Sequence, residues 1–565
     1  MTNATRDLLE QHFDTAFSAP DGIAKMRELI LTLAMQGTLV EQDPADQPAS
    51  ALLKDIDAEK QRLVKAGKIK APKPLPPIKP EEVPYQLPQG WEWVRLGEIG
   101  IINPRNDADD LAKAGFVPMP MIPQGYSEKH QFEERSWIEI KKGYTHFADG
   151  DIGMAKITPC FENGKSCVFS GLPNGIGAGT TELHIFRNSF NSVESRFLLW
   201  HLKNPHYIWK AAPKMTGSAG QKRVPTPYFT EQLFPLPPLS EQHRIVARID
   251  QLMARCDARE TLRKEREEKR LAVHAAAMQQ LLAAPDSSAW GFIEQHFDEL
   301  YSVKENVAEL RKAILQLAVM GRLVPQDPND PPASELLEEI ESERLRLFKA
   351  GKIKTPKPLP PIKTEEVPYQ LPQGWEWVRV AELTNVGTGS TPETTNQDFY
   401  GGSIPWYTSS ATNDLFAPMP DKFITEKAIS ETNCKVFPAG SLMVAMYGQG
   451  KTRGQVSEIV IPGATNQAVA ALVFFRSSEE IKKYLKYFFI KIYDEIRLLA
   501  EGAAQPNLNV GKIKETLVPL PPLSEQHRIV ARIDQLMALC DTVDQKISDA
   551  TDKQTELLRA VMAQV

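Results

Sequence analysis

Two short stretches hold residue types that could do chemistry on nucleotides. Asn204-Pro-His-Tyr207 differs at one position from the Asn-Pro-Pro-Tyr motif that holds a target adenine in amino-methyltransferases, and Gly448-Gln-Gly-Lys-Thr452 resembles the end of a phosphate-binding loop. Neither has the surroundings its chemistry requires. The first follows a run with helical spacing, Phe197-Leu-Leu-Trp-His-Leu-Lys203, and no glycine-rich methyl-donor loop with a following acidic residue accompanies it. The second has Ala445 where the loop pattern demands glycine, and Arg453-Gly-Gln-Val-Ser where a helix should begin. Without the tight glycine turn, backbone N–H groups cannot wrap a triphosphate. The zinc-protease, serine-hydrolase and calcium-loop signatures are missing, and the ten histidines are scattered. His243 and His527 stand in a repeated helix start, where packing or capping is the expected role. Five cysteines (Cys160, Cys167, Cys256, Cys434, Cys540) form no C-x-x-C pair, so neither a disulfide framework nor a zinc site is indicated.

Contacts to a nucleic acid suit the polar loops better. Gln and Asn bond bidentately to adenine and Arg to guanine, while Lys and Arg also meet phosphates. In the first half the candidates are Gln124, Tyr126 and Lys156 in turn-rich loops, then Lys214, Gln221, Lys222 and Arg223 around a glycine-containing loop. In the second half they are Tyr407, Ser409, Asn413, Gln449, Lys451 and Arg453, then Gln505, Asn507 and Asn509. Each of these types is also ordinary in surface turns.

The elements that must position these residues are set by a tandem duplication. Glu10-Gln-His-Phe-Asp14 recurs at Glu294, Ala66-Gly-Lys-Ile-Lys70 at Ala350, and Pro235-Leu-Pro-Pro-Leu-Ser240 at Pro519, always 284 residues on (294 minus 10). Pro235 to Ala254 matches Pro519 to Ala538 residue for residue, and Leu87 to Arg95 matches Leu371 to Arg379. Between these blocks the copies are almost unrelated, and no gap-free alignment restores identity. Two equal catalytic sites would keep the inserts alike; two readers of different targets would keep the frame and change the inserts. Drift of an old duplication is the plainer alternative.

Proline ends an extended segment before Ser240-Glu241 and Ser524-Glu525, where serine can cap a new helix and glutamate can sit near its positive end. From Ile529 through Ile533, Leu536, Cys540, Val543, Ile547, Ala550, Gln554 and Leu557 to Val561, apolar residues alternate spacings of four and three, a heptad seam that wants a partner helix. The first copy starts alike but meets Arg259, Arg263, Arg266 and Arg270. These either face Asp544, Asp549 and Asp552, face a partner subunit, or lie in solvent beside a seam shifted through Leu262. A helix of roughly 40 residues spans roughly 60 Å, enough to hold two reading domains a DNA turn apart. Helical patterns at 23–34 and 307–318 precede proline-rich strips at 71–80 and 355–364, read as semi-rigid spacers. The inserts read as mixed α/β, with strands at Leu183 to Phe186 and Ala470 to Phe475 ahead of helices near Arg196 to Lys203 and Glu480 to Ile490.

The repeated Pro-Leu-Pro-Pro-Leu-Ser-Glu-Gln-His-Arg-Ile-Val-Ala-Arg-Ile-Asp block, the Leu-Pro-x-Gly-Trp-Glu-Trp segments at 87–93 and 371–377, and Gly402-Ser-Ile-Pro-Trp406 resemble the specificity subunits of type I restriction-modification enzymes, in the longer-chain branch with helical arms. The resemblance implies an α/β (α+β) fold class: two globular mixed α/β target-recognition domains joined by two long antiparallel coiled-coil helices. The expected organisation is 1–87 helical arm and linker, 88–239 first reader, 240–284 central helix, 285–371 second arm and linker, 372–523 second reader, and 524–565 C-terminal helix. It also implies a non-catalytic chain that reads a bipartite double-stranded DNA target. Two methyltransferase subunits and ATP-driven restriction subunits are the implied partners, and S-adenosylmethionine, ATP and Mg are expected on them rather than here, with no catalytic or metal residue in this chain.

A chain of 565 residues exceeds one ordinary core and suggests three or four packed units. The net charge of -6 argues mildly against a protein that simply coats nucleic acid, although a local basic patch is compatible with it. The N-terminal stretch has no basic start followed by an apolar run, and no apolar run of about 18 residues occurs, so a cytoplasmic protein is expected. Two other readings compete: a complete methyltransferase or P-loop nucleotidase, and a helical scaffold with no DNA role.

Overall fold

The computed structural model describes residues 17–563 except 68, 70, 72–73, 189, 191–192, 219, 284–286, 355–358, 449–450 and 502–507. Gln449, Gln505 and Asn507 therefore lie outside the described residues. The chain forms two compact units, one of residues 1–266 with 550–565 and the other of 267–549.

In each unit the constant blocks pair with one another. Glu92–Arg95 lies antiparallel to Leu233–Leu236, with Trp93 opposite Pro235. Glu376–Arg379 lies antiparallel to Leu517–Leu520 with Trp377 opposite Pro519. Each ribbon thus closes the ends of an insert of about 140 residues, and the constant blocks supply both strands in each copy.

The inserts share a topology that their sequences conceal. In the first unit one sheet has the order Ile101–Ile102, Leu183–Arg187, Ile152–Ala155, Ser166–Val168, and the other Glu133–Ser136, Lys113–Val117, Ile176–Gly179, Thr145–Ala148. The second unit repeats both: Thr384–Thr388, Val469–Phe474, Leu442–Ala445, Val456–Glu458, and Phe423–Ile424, Tyr400–Tyr407, Gly463–Thr465, Val436–Phe437. Both second sheets contain one parallel pair in the middle, Lys113–Val117 with Ile176–Gly179 and Tyr400–Tyr407 with Gly463–Thr465. The strands expected near 183 and 470 and the helices expected after them are present, the latter as Ser195–Lys203 and Glu479–Lys491.

The two long helices are Leu239–Ala283, 45 residues, and Leu523–Met562, 40 residues. Each supplies residues to both units, the first passing from unit one to unit two and the second from unit two to unit one. Within unit two, Ala277, Met278 and Leu281 of the first helix and Ile529, Ile533 and Cys540 of the second belong to one core. The expected seam is buried or half-buried at every position except Ala550, which is exposed; Gln554 and Leu557 are half-buried and Val561 is buried. The arginine stripe does not meet Asp544, and its Arg263 and Arg266 are exposed. Arg263 donates to the Ala19 carbonyl at 3.2 Å, Arg270 to Glu267 and Ser302, and Leu262 is 65% exposed. Asp544 takes Arg311 of the helix Lys304–Val319 at 2.8 Å instead.

Three local expectations need correction. Both long helices begin one residue before the serine, at Leu239 and Leu523, so Ser240 and Ser524 stand inside the first turn rather than capping it. His243 and His527 are exposed, His527 lying 3.7 Å from Glu480. The proline-rich strip is no free spacer. The buried Arg95 guanidinium donates to the Pro76 carbonyl at 2.7 Å, the Pro77 carbonyl at 3.2 Å and Glu82 at 2.8 Å, and Arg379 docks Pro360 and Glu366 in the same way.

Candidate nucleic-acid interface

Strand register superposes the two readers where sequence offset cannot. Ala155 pairs with Leu183 and Ala445 with Val469, each at the end of the same two neighbouring strands. The next backbone bond is also common to both: Lys156 N–H donates to the Glu182 carbonyl at 2.9 Å, and Met446 N–H to the Ala468 carbonyl at 2.8 Å. Lys156 therefore corresponds to Met446 and Glu182 to Ala468, separations of 290 and 286 rather than 284. A charged pair in one reader occupies the backbone positions of an apolar pair in the other.

The segment after Lys156 joins a hairpin. Arg223 exchanges both backbone bonds with Thr216, at 2.8 and 2.9 Å, and bridges Ile157, while Thr158 N–H donates to the Lys222 carbonyl at 2.9 Å and Val224 N–H to the Lys156 carbonyl at 2.8 Å. This gathers Lys156, Gln221, Lys222 and Arg223 in one loop cluster, with exposed Lys214 just before the hairpin. Gln221 and Lys222 are exposed. Arg223 is engaged: its Nε and Nη2 donate to the Glu182 carboxylate at 2.9 and 2.8 Å, and Nη1 donates to the Gln221 carbonyl at 3.1 Å. The Arg223 hydrogen bonds hold the Glu182 carboxyl below the usual carboxylate range. Partial burial lowers the Lys156 pKa, opposed by the nearby Glu182 charge.

Other candidates have structural duties. Tyr126 packs on the first core beneath Arg27, whose guanidinium lies 5.7 Å from the ring, and burial pushes its hydroxyl up to about 12. Tyr407 is 1% exposed and donates its hydroxyl to the Ile461 carbonyl at 2.9 Å, so it supports a loop from inside. Asn509 caps the helix Val510–Glu515, accepting from Lys512 N–H at 2.9 Å. Gln124 and Asn413 are exposed; Ser409 is half-buried and its carbonyl accepts from Thr412. Lys451 is exposed and Arg453 half-buried, in the turn that joins Leu442–Ala445 to Val456–Glu458.

That turn settles the phosphate-loop resemblance: the chain returns as an antiparallel strand, with no helix to carry a phosphate at its N-terminus. Asn204 likewise serves as a helix cap, accepting from His206 N–H at 2.9 Å at the start of Pro205–Ala211. Among the described residues, no group of three or more His, Cys, Asp or Glu could hold a metal, and no helix is long and apolar enough to cross a membrane.

The sequence reading missed Glu182, because an offset of 284 pairs it with Asn466, and the insertions that move the true partner are visible only in strand register. It also missed the fixed frame at the base of each reader. Glu241, 1% exposed, accepts from Trp91 Nε1 at 3.0 Å and Gln42 Nε2 at 3.1 Å, rather than facing solvent at the helix start. Glu525 does the same with Trp375 and Gln326. Burial raises the pKa of both carboxyls.

The profile of the type I restriction modification DNA specificity domain matches residues 88–268 and 372–550. The chain is 42% identical over 566 residues to the specificity subunit of the Escherichia coli type I restriction enzyme EcoAI, covering 95% of this chain and 92% of that one. It is 40% identical over 562 residues to the EcoEI specificity subunit of the same organism, covering 96% and 93%. Among solved structures, the HsdS subunit from Thermoanaerobacter tengcongensis aligns over 85% of this chain and 98% of its own, at 21% identity and a TM-score of 0.48. The matched residues are the two sheet-bearing inserts with most of the long helix that follows each, and on that match and the near full-length identity the chain belongs to the specificity subunits of type I restriction-modification enzymes.

Proposed function

We propose that the two inserts read the two halves of a bipartite double-stranded DNA target, each half by its own sheet-borne loops. The observation that carries this reading is the shared strand order bearing different side chains at register-equivalent positions, Lys156 and Glu182 against Met446 and Ala468. A scaffold under selection only for stability has no reason to exchange a charged pair for an apolar one where two strands end. Readers of different sequences do, because donors, acceptors and apolar groups distinguish base pairs in the major groove.

In this reading the chain selects the site while two methyltransferase subunits, binding S-adenosylmethionine, modify adenine, and restriction subunits use ATP and Mg to cleave unmodified DNA in the cytoplasm. The long helices, each contributing to both units, give the halves a common support.

The test is to express this chain with its methyltransferase partner in cells lacking other adenine methylation and to sequence the methylated positions. A split motif with a constant spacer is expected. Methylation without a split motif would reject the reading, and methyl transfer or ATP hydrolysis by the purified chain alone would replace it with an enzyme.

A further inference from the structure

The loop cluster of the first reader contains an acidic group that the basic candidates do not explain. We infer that Glu182 is a specificity-determining residue of that reader: its carboxylate accepts from the N4 amine of a cytosine whose paired guanine is held by Arg223. The inference rests on the DNA-reading function proposed above and assigns the chemistry of one base pair within it.

Three observations carry it. Arg223 uses three of its five N–H groups, two on Glu182 and one on the Gln221 carbonyl. Two N–H groups remain, the number that a bidentate contact to guanine O6 and N7 requires. The Glu182 carboxylate has about four lone-pair sites and retains room for a further donor, and a carboxylate is the side-chain group that accepts from cytosine N4. The pair is also open to a ligand, the side chains of Arg223 and Glu182 being 42% and 24% exposed. A salt bridge kept only for stability at such a place would contribute little.

The second reader supplies the contrast. The same backbone bond that presents Glu182 presents Ala468 there, and Lys156 is replaced by the buried Met446. The scaffold therefore tolerates an uncharged residue at this position, so the fold does not require the carboxylate. Glu182 holds the Arg223 fork in one plane before DNA arrives, which limits the pair to bases that offer two acceptors beside one donor.

The experiment uses the enzyme assembled with its methyltransferase partner and a DNA library randomised one base pair at a time across both half-sites. Glu182→Ala, which copies the second reader, is expected to relax discrimination at one G·C position of one half-site by about 5- to 150-fold, leaving the other half-site unchanged. Arg223→Ala should relax the same position, and the double variant should relax it no further than the larger single effect. Glu182→Gln, which keeps an acceptor oxygen and nearly the same shape, should retain part of the preference, and thermal melting of all variants checks that the reader stays folded. Unchanged discrimination in a folded Glu182→Ala enzyme, relaxation of two different positions by the two single variants, or a uniform loss across all sequences would overturn the assignment while leaving the bipartite reading intact. A wild-type enzyme without a split preference would overturn both.

Discussion

Trp91 donates its indole N–H to the Glu241 carboxylate across 150 residues of chain, joining the constant block that opens the first insert to the constant block that closes it. Trp375 and Glu525 make the same bond in the second copy. Around each carboxylate the frame is completed by an arginine on the same helix, Arg244 with Asp46 at 2.6 Å and Arg528 with Asp330 at 2.6 Å. The residues that match most closely between the halves are thus spent on closing a reader, and the residues that differ are displayed by it.

Replacing Glu241 by Ala leaves the buried Trp91 N–H without its acceptor, while the Gln42 amide keeps only its bond to the Gly37 carbonyl at 2.9 Å. Unfolding in denaturant should show a loss of about 1–3 kcal/mol, the cost of an unsatisfied buried donor. Glu525→Ala should behave alike, and a variant of either residue within a few tenths of a kcal/mol of wild type would refute the role of the frame.

The first long helix is part of the second unit's core as well as the first's. Leu281 is fully buried there. Leu281→Ala should cost about 2–5 kcal/mol, and amide exchange should accelerate in the helix Lys304–Val319, which shares that core. Exchange that rises only around residues 17–266 would contradict this placement.

Acid should weaken the first reader through two buried histidines. Burial lowers the pKa of His184 to about 4 and that of His201 to about 3. A folded pKa below the ordinary value near 6.5 means that the unfolded chain binds protons first, so this contribution is intact above about pH 6.5 and is lost as the pH falls toward the folded values. His201→Leu, which introduces the residue found at Leu485 in the corresponding helix, should flatten the fall in melting temperature between pH 7 and pH 5. An unchanged slope in this variant and in His184→Phe would show that these rings do not govern it.

The Lys222 side chain is exposed on the hairpin and has no ion-pair partner among the described residues, unlike Arg223. Lys222→Ala should weaken DNA binding by a similar factor for cognate and altered sites and reduce the magnitude of the salt-dependence slope by about 1. Sequence-selective loss would assign it to a base instead of a phosphate.

Exchange of residues 372–518 for the insert of another specificity subunit should change one half of the methylated motif and preserve the other. Changes in both halves, read from methylated genomic DNA, would mean that the inserts do not act as separate readers.

Much of this protein was legible in its residues. The 284-residue repeat, the matching blocks at Trp91 and Trp375, the helix-forming runs after Ser240 and Ser524, and the failed nucleotide motifs depend on identity and local spacing, which the chain displays directly. Local spacing could not place side chains whose environment is made by distant segments. Tyr407 and Tyr126 look like loop aromatics in sequence, yet the folded sheets bury one and pack the other beneath Arg27. Glu241 looks like a helix-start carboxylate, and only the pairing of strands 140 residues apart brings Trp91 to it. Asn509 looks like a free loop amide, but its oxygen also caps the helix that begins beside it. The correspondence of Glu182 with Ala468 was beyond any constant offset, because insertions of differing length in the two inserts are absorbed in loops while the strands keep their register. The sequence by itself determined that there are two readers on one repeated frame. Tertiary structure decided which side chains those readers present, since presentation depends on strand register and on which polar groups the protein has already satisfied within itself.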